Sequence, residues 1–168
     1  LYEPEIPENT GNIMRTCVAI GAKLHIIGPI SFSIKDKDLK RAGLDYIENL
    51  KMEYYENYED FYKLHNDKNI YYVTRYADTV YSSFDFSNQV KDYYLMFGRE
   101  STGIPHDILR NHLDRLLRIP MVSNARSLNL SNCVALVTYE VLRQQGFANL
   151  CTSEMIKGEN FLINEEKK

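Results

Sequence analysis

The sequence predicts an α/β domain with a mainly parallel sheet flanked by helices. Short apolar segments that suit strands alternate along the chain with segments whose apolar residues recur at helical spacing. The strand segments are apolar at consecutive positions, which is typical of strands that are buried on both faces. Strands that alternate with helices in this way form parallel sheets covered by helices.

Each element follows from a local pattern. In the first predicted helix, 9–21, the residues Ile13, Cys17 and Ile20 recur at helical spacing, and Gly21 provides a stop. The apolar run at 24–30 predicts the first strand, because Gly-Pro closes it. Further strands are predicted at 52–57, 69–76, 92–100 (ending at Gly98) and 113–121, and further helices at 35–43, 59–65, 105–112 and 130–145.

Composition favours a folded domain of ordinary size. The 168 residues are 44% hydrophobic and 26% charged, which is the balance of a globular protein. We expect a single domain over 1–150 and a loosely packed tail over 151–168, where the pattern is weak and the end is charged. No apolar run approaches the ~20 residues that cross a bilayer, so we expect no membrane partner and a cytoplasmic location.

The cysteines, the histidines and the net charge argue against a disulfide-bonded protein, a metal site and a protein that coats nucleic acid. Cys17, Cys133 and Cys151 are odd in number and widely spaced, so we interpret them as free thiols of a reducing compartment. The four histidines lack the spacing of metal ligands, and no metal site is expected. A net charge of −3 argues against a protein that coats nucleic acid. A local group of basic residues could still hold RNA.

Three loops that follow predicted strands concentrate the polar and glycine residues. In parallel sheets ligands bind at the carboxyl ends of strands, which here directs attention to the loops after Val73, after Phe97 and after Ile119. Gly98 and Gly103 flank the second loop and allow close approach of a ligand, although an ordinary strand-to-helix turn would also use them. The third loop is longer than a connection needs, and such loops usually carry function.

The loops suit a nucleoside better than a polyphosphate. The sequence has neither the glycine fingerprint of dinucleotide sites nor a P-loop, and it lacks the nucleophile elbow of hydrolases. Backbone amides, small residues and apolar walls with little fixed charge fit an uncharged or cationic nucleoside such as S-adenosylmethionine. Before the last helix, the polar residues Ser127, Asn129, Ser131 and Asn132 exceed what capping alone explains.

Three motifs occur in a fixed order: NTGNIMR at 9–15, FGRESTGIP at 97–105 and IPMVSNARSLNLSN at 119–132. This set is similar to the motifs of the SPOUT superfamily of RNA methyltransferases. Within that superfamily the chain resembles the compact tRNA 2′-O-methyltransferases of the TrmL (YibK-like) group, and HIIGPI at 25–30 and RAGLDY at 41–46 extend the likeness. The resemblance runs from residue 1 to about residue 145.

The resemblance implies a fold, a cofactor and partners. The sheet would carry a C-terminal deep trefoil knot, in which S-adenosylmethionine lies bent. The protein would be a homodimer whose RNA site draws on both subunits. The implied reaction moves a methyl group to the ribose 2′-oxygen of the wobble nucleotide, position 34, in the anticodon stem-loop of tRNA-Leu, where the nucleotide is cytidine or a modified uridine.

Site residues are carried over by the same resemblance. Arg15 matches the catalytic arginine, Asn9 its partner in the motif, and Tyr139 a functional tyrosine. Because a guanidinium stays protonated, we expect Arg15 to orient the ribose and a phosphate rather than to act as a base. The implied cofactor pocket is walled by Val73, Thr74, Gly98, Glu100, Gly103, Ile119, Met121, Ser127, Leu128, Asn132 and Cys133.

Two other interpretations stay open. The same chemistry could act on another tRNA or rRNA site, or the chain could be a non-catalytic RNA-binding relative with the same fold.

Arg99 stands where the relatives often carry Pro, and Cys133 where Ala is usual. A basic rim for RNA is expected from residues in or near the motif loops: Arg15, Lys40, Arg41, Arg75, Arg99 and Arg126.

Overall fold

A computed structural model describes residues 1–33, 49–66, 68–158 and 161–165. The helix predicted at 35–43, with Lys40 and Arg41, lies outside the described residues. The described elements are, in chain order, α1 (Pro7–Ile20), β1 (Leu24–Ile27), β2 (Met52–Tyr55), α2 (Tyr58–His65), β3 (Asn69–Val73), β4 (Tyr93–Phe97), α3 (His106–Arg110), β5 (Leu116–Leu117), α4 (Leu130–Gln144) and α5 (Phe161–Glu165).

The described strands are all paired in parallel, which confirms the predicted fold class. β1 pairs with β2, and β3 lies between β4 and β5. The segment at 1–3 joins these two groups. The N–H of Tyr2 donates to the carbonyl of Phe97 at 2.8 Å, and the N–H of Ile27 donates to the carbonyl of Leu1 at 2.8 Å. The order across the sheet is therefore β2, β1, segment 1–3, β4, β3, β5.

Two hydrophobic cores lie on opposite faces of this sheet. On one face α1 and α4 contribute buried residues such as Ile13 and Val137, while α2 and α3 contribute Phe61 and Leu109 to the other. Neighbouring strand residues such as Ile26 and Ile27 belong to different cores. Because successive strand side chains point to opposite faces, burial on both faces explains why the strand segments are apolar at consecutive positions.

The predicted start of the first helix is wrong by two residues. α1 begins at Pro7, not at Asn9, and Ile6 occupies the cap position without a side-chain hydrogen bond. Proline is well tolerated in the first turn, because the N–H it lacks would have no partner within the helix. Asn9 consequently lies inside the helix and is only 6% exposed. The predicted stop is confirmed: Gly21 ends the helix with φ of 68°.

The strand predicted at 113–121 is wrong in extent. Leu113–Arg115 forms a 3₁₀ turn, closed by the Arg115 N–H donating to the His112 carbonyl at 2.9 Å, and only Leu116–Leu117 pair as β5. The strands predicted from residues 24, 52 and 69 also end early, at 27, 55 and 73. After β2 the reason is local, since the Asn57 side chain accepts the Asp60 N–H and starts α2.

The C-terminal end of α4 lies against the loop that precedes β4. The Gln144 side chain accepts the Phe86 N–H at 2.8 Å and donates to the Phe84 carbonyl, while Gln145 donates to the Phe86 carbonyl. Beyond this point residues 151–157 are exposed. None of the described helices is long and apolar enough to span a membrane. The division into a domain over 1–150 and a tail over 151–168 stays a prediction.

A tyrosine hydroxyl ties β1, β2 and α2 together. Tyr55 donates to the carboxylate of Glu53, and its oxygen lies 2.9 Å from both His25 Nδ1 and His65 Nε2. Since Tyr55 gives its own proton to Glu53, both imidazoles donate to it. Burial, followed by the neighbouring His65, lowers the pKa of His25 to about 4. Three possible metal ligands thus surround a hydroxyl, and the expectation of no metal stays a prediction.

We expect stability to fall as the pH drops from about 6.5, the ordinary His pKa, to about 4. His25 has a lower pKa in the folded state, so the unfolded chain takes up the proton first, and the loss levels off below pH 4. The loss is at most about 3 kcal/mol. Urea unfolding between pH 6.5 and 5 measures the upper part of this loss free of Glu53, whose contribution is lost only between its ordinary pKa of 4.5 and its folded-state pKa of about 2. His25→Gln should flatten the slope and the exposed His106→Gln should not; equal slopes would contradict the assignment.

Candidate active site

A cavity of about 990 Å³ opens where the loops after β3, β4 and β5 meet the start of α1. This is the carboxyl edge of the sheet, as the parallel strands predict. Its size is at the upper end of the range for small-molecule sites. Residues from four separate segments line it: Ile6, Asn9, Val73, Thr74, Arg75, Tyr76, Phe97, Gly98, Arg99, Glu100, Ser101, Thr102, Gly103, Ile104, Pro105, His106, Ile119, Met121, Arg126, Ser127, Leu128, Asn129, Leu130 and Cys133.

Eleven of the fourteen residues expected at the site line this cavity. They are Asn9, Val73, Thr74, Gly98, Glu100, Gly103, Ile119, Met121, Ser127, Leu128 and Cys133. Arg15, Asn132 and Tyr139 do not line it; they lie on exposed surfaces of α1 and α4. The structure thus brings together the expected pocket residues of three motifs and leaves these three side chains outside.

One asparagine connects the three motifs. The side-chain amide of Asn9 donates to Glu100 Oε1 at 3.0 Å, and its oxygen accepts from the Asn129 amide at 2.8 Å. A carboxylate can only accept, so the orientation of the Asn9 amide is fixed by Glu100. Asn9 is buried, and the hydrogen bonds at both of its polar atoms offset the cost of removing the amide from water. These two hydrogen bonds span sequence separations of 91 and 120 positions.

Glu100 also holds the chain that enters α1. Its carboxylate accepts the backbone N–H of Glu5 at 2.8 Å and that of Ile6 at 3.3 Å. In return the carboxylate of Glu5 accepts from the N–H of Ser101 at 2.8 Å and from its hydroxyl at 2.7 Å. Because Ile6 caps α1 without using a side chain of its own, a carboxylate from a distant loop supplies the acceptor. The negative charge also suits the positive end of the helix dipole.

Both glycines of the loop after β4 are required by its geometry. The Arg99 N–H donates to the Gly103 carbonyl at 3.2 Å and the Gly103 N–H donates to the Arg99 carbonyl at 2.9 Å, so the loop closes on itself. A Cβ at Gly98 would lie 2.1 Å from the carbonyl carbon of Gly103. Gly103 has φ of 74°, a conformation that other residues adopt only with strain. The loop is therefore a preformed wall of the cavity.

The polar residues at the start of α4 have different structural roles. Asn129 caps the helix, accepting from the Ser131 N–H at 2.9 Å and from its hydroxyl at 2.6 Å, while the other end of its amide bonds Asn9. Ser127 lines the cavity, and Asn132 is exposed in the first turn of the helix. The cap was foreseeable from residue type. The bond to Asn9 was not, because nothing in the sequence marks a contact over 120 positions.

The remaining walls are weakly polar. Thr74 anchors the loop after β3, since its N–H donates to the Leu117 carbonyl at 3.0 Å. Burial raises the pKa of the Cys133 thiol, so this thiol is protonated at neutral pH and behaves as a small apolar wall. Leu128 is 41% exposed and lines the cavity. These three residues therefore add no charge to the cavity wall.

The chain belongs to the SpoU rRNA methylase family, whose model matches residues 1–139. A relative from Escherichia coli strain K12, a tRNA (cytidine(34)-2′-O)-methyltransferase, is 43% identical over 148 residues, which are 88% of this chain and 92% of the relative. The motifs of the sequence and the parallel sheet agree with this membership. The superfamily expected from the sequence is confirmed.

Solved structures of RNA methyltransferases share the fold. One, described as giving insights into the 2-OH methylation of C/U34 on tRNA, has a TM-score of 0.80 and 34% identity, covering 87% of this chain and 93% of its own. An AdoMet-bound rRNA methyltransferase from Sinorhizobium meliloti has a TM-score of 0.75 and 25% identity, covering 84% of this chain and 53% of its own. The trefoil knot itself stays a prediction.

Replacing Glu100 by Gln should destabilise the protein. All the donors that Glu100 meets are N–H groups, so the new amide would point an N–H at one of them and leave a donor unpaired. We expect a loss of about 1–3 kcal/mol in the free energy of unfolding, measured with urea. Asp107→Asn makes the same charge change at a side chain that is 92% exposed, and should cost below about 0.5 kcal/mol. Equal losses of unfolding free energy in the two variants would show that the hydrogen bonds of Glu100 do not contribute to stability.

Proposed function

We propose that this protein is an S-adenosylmethionine-dependent tRNA ribose 2′-O-methyltransferase that acts on the wobble nucleotide, position 34, a cytidine or modified uridine, in the anticodon stem-loop of tRNA-Leu. The observation that carries the proposal is the chain of side-chain hydrogen bonds from Asn129 through Asn9 to Glu100, which assembles the three motifs around one cavity. The activities named for the relatives support it. A cytoplasmic location, where tRNA is found, belongs to the same proposal.

The cavity fits S-adenosylmethionine in size and chemistry. Its volume of about 990 Å³ is ample for a nucleoside with an amino-acid arm. Val73, Ile119 and Leu128 would contact the adenosine, and open space beside Gly103 allows a ligand to approach the backbone. When bound, S-adenosylmethionine supplies a methyl group carried on a sulfonium sulfur. The residues around it have to bind the cofactor, orient the acceptor and exclude water.

Arg15 would act on the acceptor nucleotide. Methyl transfer needs the 2′-oxygen in line with the methyl group, and this alignment is a large part of catalysis. A guanidinium remains protonated and donates in a fork that matches phosphate, so Arg15 holds a phosphate and the ribose in place. As the methyl carbon bonds to the 2′-oxygen and its bond to sulfur breaks, the hydroxyl proton would pass to a phosphate oxygen or a neighbouring polar side chain. Arg15 is exposed on α1 and so is free to meet RNA.

Incubation with radiolabelled S-adenosylmethionine and total tRNA tests the proposal, and mapping of the labelled nucleotide tests its position. We expect label at position 34 of tRNA-Leu. Arg15→Ala should lower the rate on the order of 100-fold through lost alignment, with unchanged cofactor affinity, whereas Lys63→Ala on α2 should have no effect. Label at another nucleotide would favour the other-substrate interpretation. No label in any RNA would favour the non-catalytic relative and contradict the proposal.

In a homodimer, Arg15 and Tyr139 of one copy would lie near the cavity of the other copy. α1 and α4 pack together within one chain, and each leaves one side exposed. On α4 this side carries Asn132, Leu136 and Tyr139 at helical spacing, with Leu136 36% and Tyr139 46% exposed. Arg15 lies on the exposed side of α1. A second copy seated on this surface would cover the apolar side chains and offer each cavity the arginine of its partner.

Mixing two variants tests this arrangement, since Arg15→Ala should impair the alignment of the acceptor and Glu100→Gln should impair the cavity. Arg15→Ala keeps an intact cavity, and Glu100→Gln keeps Arg15, so a mixed dimer should contain one cavity with both parts. We expect methylation to recover to roughly a quarter of the wild-type rate after subunit exchange, because half of random dimers are mixed and each has one complete site. Leu136→Glu should give monomers by analytical ultracentrifugation, while the matched Leu64→Glu on α2 should not. Absence of recovery from mixed dimers would show that Arg15 serves its own chain.

A further inference from the structure

An exposed aromatic group lies at the edge of the cavity. The rim group, defined as Arg75, Tyr76 and His106, belongs to the loop after β3 and the start of α3, and all three residues line the cavity. Tyr76 is 56% exposed. Its ring meets that of His106 edge to face, with centroids 4.9 Å apart, and the Arg75 guanidinium carbon lies 5.6 Å from its centroid.

The packing of the fold does not explain why an aromatic ring is exposed at position 76. The neighbouring Ala77 is 2% exposed and belongs to the core, whereas the Tyr76 ring reaches away from it. Its contacts with Arg75 and His106 are both with exposed side chains. An exposed ring flanked by a guanidinium gives up apolar burial but presents an aromatic surface with a positive charge beside it. Those are the two features that single-stranded nucleic acid binds.

We propose that Tyr76 stacks on the unpaired base of the nucleotide whose ribose receives the methyl group, with Arg75 beside the adjoining phosphate. This inference rests on the proposed function and names the part of the RNA that the rim group recognises. The acceptor ribose has to reach the cavity to meet the methyl group, which brings its base toward the residues at the edge of the cavity. Bases that are read outside a duplex are commonly stacked on aromatic side chains.

The adenine of the cofactor is the other possible partner of the ring. Other lining residues of the cavity, such as Val73, Ile119 and Leu130, are apolar and buried or half-buried, which suits an adenine withdrawn from water. Tyr76 is more than half exposed, which suits a ligand that arrives from solution after the cofactor. We therefore assign the ring to the RNA base, and cofactor affinity provides the readout that separates the two.

A cycle of one protein change and one RNA change tests this contact. The protein change is Tyr76→Ala, and the RNA change is an anticodon stem-loop whose acceptor nucleotide keeps its ribose but lacks its base. For the wild type we expect the missing base to weaken stem-loop binding roughly 5- to 150-fold, the range of one base–aromatic stack. Tyr76→Ala should lose a similar factor with the intact stem-loop. The variant should then lose little more when the base is removed, since the stack is already gone.

Two further variants serve as controls for the stack. Tyr76→Phe should bind like the wild type, because stacking needs only the ring, and Tyr54→Ala removes an exposed tyrosine away from the cavity and should have no effect. Calorimetry should show unchanged S-adenosylmethionine affinity for Tyr76→Ala; weakened cofactor binding would assign the ring to adenine and overturn the inference. Losses that multiply across the cycle would also overturn it. Binding is measured without turnover, so a stem-loop that binds but is not methylated contradicts the proposed function alone.

Discussion

The buried side chain of Asn9 is the constraint on which the site depends. It gives its N–H to Glu100 and receives one from Asn129, so both ends of a single amide are used. An aspartate there would repel Glu100, and an apolar residue would remove one hydrogen-bond partner from Glu100 and one from Asn129. The cavity walls come from loops after three different strands, and this amide is where two of those loops meet α1. The position of each wall is thus linked to the others.

The N-terminal segment completes the sheet and the site together. Residues 1–3 bond to β1 and β4 and so unite two groups of strands. The next residues, Glu5 and Ile6, bond to Glu100 and Ser101 at the edge of the cavity. Folding of the cavity therefore requires the first residues of the chain to find partners about 95 positions away. Such non-local closure costs chain entropy, which many small hydrogen bonds and the two hydrophobic cores together offset.

Local patterns predicted the elements well and the contacts between them poorly. Consecutive apolar residues marked the strands, and Gly21 and Asn129 marked helix ends, because these signals depend only on neighbours in sequence. The strand at 113–121 was predicted too long, since the extent of β5 is set by pairing with a strand over 40 residues away. Eleven of the cavity-lining residues were expected from the family resemblance; Tyr76 and His106 were not among them and carried no sequence signal. Whether Arg15 serves its own cavity or that of a partner is decided by assembly, which a sequence pattern does not encode.

The coupling between Asn9 and Asn129 tests the account most directly. Isothermal titration of S-adenosylmethionine into Asn9→Ala, Asn129→Ser and the double variant gives a thermodynamic cycle, and serine at 129 keeps the helix cap while losing the reach to Asn9. If the amide chain holds the cavity together, the two changes should show a coupling of about 1 kcal/mol or more. Effects that add to within about 0.3 kcal/mol would show that the motifs form the pocket independently, and would contradict the account.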